Sequence, residues 1–230
     1  MIVSRSGLLA FALSLAASVA TAQEMTPVVV TQGEGVIRVA PDRARVNLQV
    51  ETRAVRPPDA QRANADAMTA VSRALEALGL ETDSIRTLGV NLQPEFDFVD
   101  GQRQLRGYLA SNSIEVTVDD LSRVGEIVDR AVDAGATTVS GIQFDAKERR
   151  VLERRALEEA VADAKARAIA AAAGAGTEIA EVVRIEEQGA QPVQTMFRMS
   201  MQAESSQSVT PIAPGQIEIR AGVVLTAKLR

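Results

Sequence analysis

The amino-acid sequence predicts an α+β fold built mainly on antiparallel sheet. Several segments alternate apolar and polar residues as strands do, others repeat apolar residues at the 3.6-residue period of a helix, and glycine or proline separates them. The predicted order is two successive β-hairpin–helix units, then a strand, a long helix and two C-terminal strands. We expect residues 23–230 to form this fold as a single domain, because that length supports one well-buried core.

The first hairpin is predicted from two alternating segments, residues 28–39 and 44–52. Pro41, between them, presets the backbone angle φ for a turn. Gly33 and Gly35 interrupt the first strand, which indicates a bulge or a close approach of another backbone segment. A phosphate-binding glycine loop would lead into a helix, and here a strand follows instead.

The second hairpin carries the strongest turn signal in the chain. Asp100-Gly101 lies between alternating segments over residues 88–98 and 108–118, and this dipeptide favours a type I′ turn. A helix over residues 59–78 follows the first hairpin, and the acidic pair Asp119-Asp120 is predicted to cap the helix after the second. Hairpin plus helix is therefore expected twice.

The last third of the domain is predicted to contain one long helix between strands. Residues 147–173 are rich in alanine and in both signs of charge, with oppositely charged residues four positions apart on a solvated face. Strands are expected over residues 138–145, 179–185 and 216–229. The packed face of the helix is predicted to comprise Ala160, Val161, Ala164, Ala168, Ile169 and Ala172.

The segment over residues 188–214 shows no helical or strand period and is rich in Gln, Ser and Pro, which predicts a flexible loop. It contains Met196, Met199 and Met201. Packing of these side chains against the sheet or a neighbouring subunit is the favoured interpretation. Two alternatives stay open: thioether sulfur binds Cu(I), and methionine is reversibly oxidised, so the cluster would buffer copper or oxidants.

The N-terminus has the pattern of a secretory signal peptide. Arg5 precedes an apolar run over residues 7–19, and Ala20-Thr21-Ala22 supplies small residues at the cleavage site. The run is shorter than the roughly 20 apolar residues that span a bilayer. Residues 1–22 are therefore predicted to be removed by cleavage after Ala22, leaving a periplasmic chain without a transmembrane segment.

Composition excludes several classes of function. The chain has no His and no Cys, which removes the common zinc sites, Ser-His-Asp triads and cysteine nucleophiles. Its net charge of −5 argues against nucleic-acid binding, which needs a basic face. We expect no catalytic residue, no resident metal and no cofactor.

Paired carboxylates are the remaining acid–base candidates. Asp119-Asp120, Glu158-Glu159 and Glu186-Glu187 are each adjacent in sequence. Neighbouring residues point to opposite faces of a strand and diverge by about 100° on a helix. A cap is therefore the better interpretation of the first pair, and a surface position that of the second.

Several motifs, in this order and spacing, resemble the SIMPL-domain family. The resemblance covers about residues 28–230, nearly the whole mature chain, and its motifs include Gly33-Glu34-Gly35, Val39-x-Pro41-Asp42-x-Ala44, Gly107-Tyr108-x-Ala110-Ser111-Asn112, Gly141-Ile142-x-Phe144 and Ala156-Leu157-x-x-Ala160-Val161-x-Asp163-Ala164. The resemblance implies an α+β fold, export, and ring-like homo-oligomers with a central opening. Secreted members of the family include periplasmic immunogenic proteins and proteins linked to oxidative-stress defence. The family has no agreed catalytic residues, so none is assigned.

Three functional hypotheses follow. The first is a non-enzymatic periplasmic structural or interaction protein with a role in oxidative-stress or envelope defence. Long hairpins leave exposed edges that invite pairing, and a closed ring would bury them, so a homo-oligomer is expected. The second is a methionine-based copper or oxidant buffer, and the third is an enzyme using carboxylates or a cofactor. The sequence names no small-molecule ligand.

Overall fold

The structure, a computed structural model, describes residues 27–189 and 212–230 and the backbone of residues 195–196. The predicted signal peptide, residues 1–22, lies outside the described residues, as does most of the predicted loop over residues 188–214. Helices and antiparallel strands make up the described part of the chain, which confirms the predicted α+β class.

The described residues contain three α-helices and eight strands, one of them only two residues long. The helices are α1 (Pro57–Ala77), α2 (Val124–Asp133) and α3 (Arg149–Gly174). The strands are β1 (Val28–Val39), β2 (Arg43–Ala54), β3 (Ile85–Val99), β4 (Gln102–Val118), β5 (Thr138–Asp145), β6 (Ile179–Gln188), β7 (Thr195–Met196) and β8 (Gln216–Leu229).

The strands form two separate antiparallel sheets. One has the order β3-β4-β2-β5, and the other has the order β1-β8-β6 with β7 also paired to β8. The part of the predicted loop that the structure describes departs from the prediction. Gln188 belongs to β6, and Thr195–Met196 pairs with Ile217 and Gln216 of β8, so this segment includes strand.

The predicted first hairpin is wrong, because β1 and β2 belong to different sheets. β1 pairs with β8 over its whole length, from Val28 opposite Lys228 to Val39 opposite Ile217, whereas β2 pairs with β4 and β5. The residues around Pro41 therefore connect two sheets. A turn signal shows that the chain changes direction, and it does not show which strands pair. Here β1 forms a twelve-residue ladder with the C-terminal strand β8 and not with β2. Hairpin plus helix occurs once, as β3–β4 and α2.

The second hairpin is confirmed. Val99 pairs with Gln102 across the turn, and Asp100 and Gly101 both have positive φ, 53° and 78°. Two successive residues in this left-handed region make the type I′ turn, whose twist matches that of the paired strands. An aspartate and a glycine tolerate that region at low cost, which is why this dipeptide fixes the position of the turn.

The larger core lies between one face of the β3-β4-β2-β5 sheet and helices α1 and α2. Each fully buried aliphatic side chain contributes about 1.5–3 kcal/mol relative to exposure. The largest fully buried side chains of this core are Leu48, Leu75, Ile114, Ile127, Ile217, Val46, Val50, Val71, Val116, Val118 and Val124. Asn64, on the same face of α1, is buried with them and donates hydrogen bonds to the carbonyls of Val50 and Ala110.

The second core lies where α3 packs on the β1–β8 pair. The helix contributes only small side chains to it. Every fourth residue of the helix is a buried alanine: Ala156, Ala160, Ala164, Ala168 and Ala172. Gly33 and Gly35 face them so closely that an added Cβ would lie 2.1 Å from the Ala160 carbonyl and 1.9 Å from the Ala156 carbonyl, respectively. Of the two alternatives predicted for these glycines, a bulge or a close backbone approach, the close approach is confirmed. Only glycine opposite alanine allows it.

The two cores touch through a few shared side chains. Val39 and Leu152 are partly buried against both the larger core and a small cluster formed by Ile37, Ala156 and Ile219. In the described part of the chain, no helix has the length and apolar character needed to cross a membrane. The domain boundaries, residues 23–230, stay a prediction.

Candidate functional site

Ten charged side chains line a cleft of about 630 Å³ between the β3-β4-β2-β5 sheet and the start of α3. The basic groups that line it are Arg43, Arg45, Arg86, Lys147, Arg149 and Arg150, and the acidic ones are Asp83, Glu115, Asp145 and Glu148. A cleft with such groups is where acid–base chemistry would be sought first.

Arginines bind two of the carboxylates in this cleft, Asp145 and Glu115. Asp145, at the end of β5, accepts hydrogen bonds from Arg45 Nη2 at 2.9 Å, Arg149 Nη1 at 3.2 Å and the backbone N–H of Ala146 at 2.9 Å. Glu115 of β4 accepts one from Arg86. A carboxylate whose oxygens are already bonded in this way is poorly placed to take a proton from a substrate. The arrangement joins α3 to the sheet.

Asp119, beside the cleft, is held by two basic side chains. Arg43 Nε donates to Asp119 Oδ1 at 2.8 Å, and Lys147 Nζ lies 3.3 Å from Oδ2. The hydrogen bond from Arg43 is the main reason that the pKa of Asp119 lies below its usual value, with Lys147 adding to it. Arg43 is 35% exposed and Asp119 is 48% exposed, so solvent screens the pair and limits its contribution to about 1 kcal/mol.

Replacing Arg43 by glutamine should lower the free energy of unfolding relative to the parent at neutral pH. In acid this difference between variant and parent should be smaller. A carboxyl whose pKa is lowered by folding adds stability above its unfolded pKa, and this stability is lost as the pH falls through the folded value. Without Arg43 the folded pKa of Asp119 rises, so the difference between variant and parent should shrink towards about pH 2. Urea unfolding at several pH values measures it. A difference that does not vary with pH would contradict this account.

The other adjacent acidic residues do not meet at one point. Asp120 caps the 3₁₀ turn Leu121–Arg123 by accepting a hydrogen bond from the backbone N–H of Ser122, as predicted for this pair. Glu186 is paired with Arg184 on β6. Among the described residues, no group of three or more acidic side chains is arranged to hold a metal ion.

The methionine candidates are only partly described. The backbone of Met196 lies in β7, paired with Gln216 of β8, while Met199 and Met201 lie outside the described residues. Their interpretation as a packing cluster, a Cu(I) site or an oxidant buffer stays a prediction.

Among the edge strands of the two described sheets, β3 and β6 combine an unpaired edge with exposed apolar side chains. β3 is the first, because β4 is its sole partner in the sheet. Its apolar residues Leu88, Val90 and Leu92 are exposed, with Val90 at 66%. Val90 lies opposite Asn112, and Leu92 opposite the buried Ala110, so both side chains are on the sheet face that α1 covers further in. The helix stops short of this edge.

The β3–β4 hairpin also extends beyond its own sheet. β2 ends at Ala54, opposite Tyr108, while β3 and β4 continue as a two-stranded ribbon to the turn at Asp100. Phe98, Val99 and Leu105 are exposed on this ribbon. A two-stranded ribbon alone is at best marginally stable in water, so this one gains from any surface that covers it.

The second uncovered edge is β6. α3 lies over β1 and β8 and leaves a groove of about 600 Å³ above β6, lined by Lys165, Ile169 and Ala173 of the helix and Ile179 and Val182 of the strand. Ile169, predicted on the packed face of α3, is instead half exposed here. Sequence reasoning missed this groove, because the helical period shows that a face is apolar and not how much sheet it covers. The adjacent pair Val182-Val183, apolar on both faces of a strand, was the available signal.

The SIMPL family model, described as a protein of unknown function (DUF541), matches residues 29–227. The chain belongs to the SIMPL family. The resemblance seen in the sequence is thereby confirmed, and the structure brings two of its motifs into contact. Gly33-Glu34-Gly35 on β1 lies against the Ala156–Ala164 stretch of α3, where Glu34 N–H donates to Asp163 Oδ2 at 3.1 Å.

The chain is similar to several bacterial proteins, over between about half and most of their length. The 26 kDa periplasmic immunogenic protein of Brucella melitensis is 31% identical over 208 residues, covering 86% of this chain and 83% of that protein. The uncharacterized protein YggE of Edwardsiella ictaluri is 28% identical over 176 residues, which cover 74% of this chain and 72% of that protein. YggE of Escherichia coli K12 is 25% identical over 118 residues, which cover 51% of this chain and 48% of that protein.

Proposed function

We propose that this SIMPL chain is exported to the periplasm and acts there, without enzymatic activity, as a ring-forming structural or interaction protein in oxidative-stress or envelope defence. One observation carries the proposal: each of the two sheets has an edge strand with exposed apolar side chains, β3 in one sheet and β6 in the other. Exposed apolar side chains along such edges favour contact with another chain, which would remove them from water. The charged cleft supports the non-enzymatic part, because two of its carboxylates, Asp145 and Glu115, are bonded to arginines.

Export is supported by two independent lines. Residues 1–22 have the charged start, the apolar run and the small residues of a cleaved signal peptide. The relative from Brucella melitensis, similar over most of both chains, is named a periplasmic protein.

Native mass measurement of the exported chain at micromolar concentration tests the assembly. We expect one discrete multimer whose mass is a whole multiple of that of the cleaved chain, because a ring has a fixed number of subunits. A clean monomer at this concentration would remove the proposal that the protein works through assembly.

The role in defence is tested by survival under hydrogen peroxide. Bacteria that lack their own copy of this protein should survive hydrogen peroxide less well. Expression of the complete chain should restore their survival. A chain lacking residues 1–22 is the matched control, since it keeps the domain and loses the export signal. Equal survival with and without the protein would contradict the role in oxidative stress, and rescue by the control would contradict the periplasmic site of action.

A further inference from the structure

A polar pocket of about 240 Å³ lies beside Gly222, near the middle of β8. The strand register places Gly222 between Glu34 of β1 and Gln188 of β6, and Arg220 stands two residues away on the same strand. These residues alternate with those that α3 buries, so their side chains are on the face of the β1-β8-β6 sheet opposite the helix. The pocket therefore has a residue without a side chain in a ring of polar groups.

The fold does not require a glycine at position 222. Its φ is outside the left-handed region, and the β1–β8 ladder passes through it without a bulge. An added Cβ would lie 3.4 Å from its nearest neighbour on another strand, the flexible end of Gln188, whereas one at Gly33 or Gly35 would strike the backbone of α3. Glycine inside a strand lowers stability and often marks a place where a ligand approaches the backbone. The remaining explanation for Gly222 is space for a ligand.

Two groups of opposite charge stand side by side in the pocket. Arg220 Nη1 donates to Glu34 Oε1 at 3.0 Å, while Arg220 Nη2 donates to Glu218, which holds the guanidinium on the sheet. The side chains of Glu34 and Arg220 are 55% and 33% exposed, so solvent screens their attraction and a ligand can enter between them at low cost. A guanidinium binds carboxylates, and a carboxylate binds ammonium groups.

Neutral and basic side chains complete the ring. The amides of Gln32 and Gln188 make no hydrogen bond to another described residue, so their donors and acceptors are open to a ligand. Arg167 of α3 reaches the pocket beside the edge strand β1, where Asp163 pairs with it at 3.0 Å and also accepts from the Glu34 N–H at 3.1 Å. Within the described part of the chain, none of the lining side chains is aromatic or a large aliphatic one, so the pocket offers little to an apolar ligand.

We infer that the pocket binds a small zwitterion of the α-amino acid class, with the ligand carboxylate on Arg220 and the ligand ammonium group on Glu34. A ligand with only one charge would face a like charge, because an anion would meet Glu34 and a cation would meet Arg220. A zwitterion pairs with both groups. The volume of about 240 Å³ equals that of about eight water molecules, which suits an amino acid with a short side chain. The site is independent of the assembly proposed above.

Isothermal titration calorimetry with L-alanine tests the inference. Ethylamine, which is alanine without its carboxylate, and propanoate, which is alanine without its ammonium group, are the matched analogues. We expect saturable binding of alanine, and binding weaker by about tenfold or more for each analogue, because each lacks one charge-assisted contact. An absence of alanine binding at millimolar concentration, or equal binding of the three compounds, would overturn the proposed site.

Filling the space above Gly222 gives a second test. Gly222→Val should abolish alanine binding while the free energy of unfolding in urea stays the same or rises, because valine favours strands and the position has room for a Cβ. Gly89→Val is the matched control, since Gly89 lies in a strand of the other sheet and an added Cβ there meets only Ser113 Oγ at 3.8 Å. The control should bind alanine like the parent. Undiminished binding by Gly222→Val would contradict the location of the site.

Glu34→Gln separates the two charged contacts, and it leaves the strand packing unchanged because the side chain is exposed. We expect this variant to bind alanine more weakly by about tenfold or more, and to bind propanoate at least as well as the parent, because the group that repels an anion is gone. Glu186→Gln is the matched control, since Glu186 is on the same face of the sheet but outside the pocket. Parallel losses of alanine and propanoate binding in Glu34→Gln would overturn the assignment of the ammonium group to Glu34.

Discussion

Replacing Gly35 by alanine should lower the free energy of unfolding by about 2–3 kcal/mol, a large effect for a single methyl group. The new Cβ would lie 1.9 Å from the Ala156 carbonyl oxygen, and that oxygen is backbone inside a 26-residue helix, so it cannot turn aside. β1 and α3 would have to separate, which would loosen the alanine contacts along the helix. Gly33→Ala meets the Ala160 carbonyl at 2.1 Å and should act in the same direction.

Urea unfolding followed by circular dichroism measures this effect. Gly89→Ala is the matched control, since Gly89 is also in a strand and its nearest neighbour to an added Cβ is Ser113 Oγ at 3.8 Å. We expect the control to be neutral or stabilising by up to about 1 kcal/mol, because alanine restricts the unfolded chain. If Gly35→Ala is as stable as Gly89→Ala, α3 does not lie against β1 as described.

Replacing Asn64 by aspartate should cost about 3 kcal/mol or more at neutral pH. Asn64 is 3% exposed, and its Nδ2 donates to the carbonyl of Val50 at 2.9 Å and to that of Ala110 at 3.1 Å. A charged aspartate has no hydrogen to donate, so it would face two carbonyl oxygens without a partner. The buried side chain should therefore stay protonated, with its pKa raised above the ordinary value.

The sign of the pH dependence identifies this cause. A group whose folded pKa is raised loses stability as the pH rises above its unfolded value, about 3.9 for aspartate. The deficit of Asn64→Asp should therefore be smallest near pH 3 and grow towards neutral pH. Gln61→Glu is the control, because it makes the same amide-to-acid change on the exposed face of α1, and it should stay within about 0.5 kcal/mol of the parent. A deficit that does not change with pH would contradict a charge penalty.

Local signals in the sequence predicted the elements well where one residue type decides the geometry. Asp100-Gly101 fixed the position of the long hairpin, and Gly33 and Gly35 indicated a bulge or a close approach of another backbone segment. In each case short-range sterics leave few alternatives, so no knowledge of the remote chain is needed.

The partner of β1 could not be read in the same way. Alternation of apolar residues identifies a strand and its buried face, and it is silent on which other strand pairs with it. The hairpin with β2 was the nearest candidate in sequence, whereas the structure pairs β1 with β8, almost two hundred residues away. The uncovered groove above β6 was missed for a related reason, since the coverage of a strand depends on where a remote helix lies across the sheet.

The two cores differ in how oxidants would affect them. The cluster in which α3 packs on β1 and β8 consists of aliphatic side chains without sulfur or rings, none of which peroxide readily modifies. The larger core contains Met68 and Phe144. Conversion of Met68 to its sulfoxide would place a polar group among aliphatic neighbours, so chemical damage would begin on the α1 side and leave the α3 layer intact.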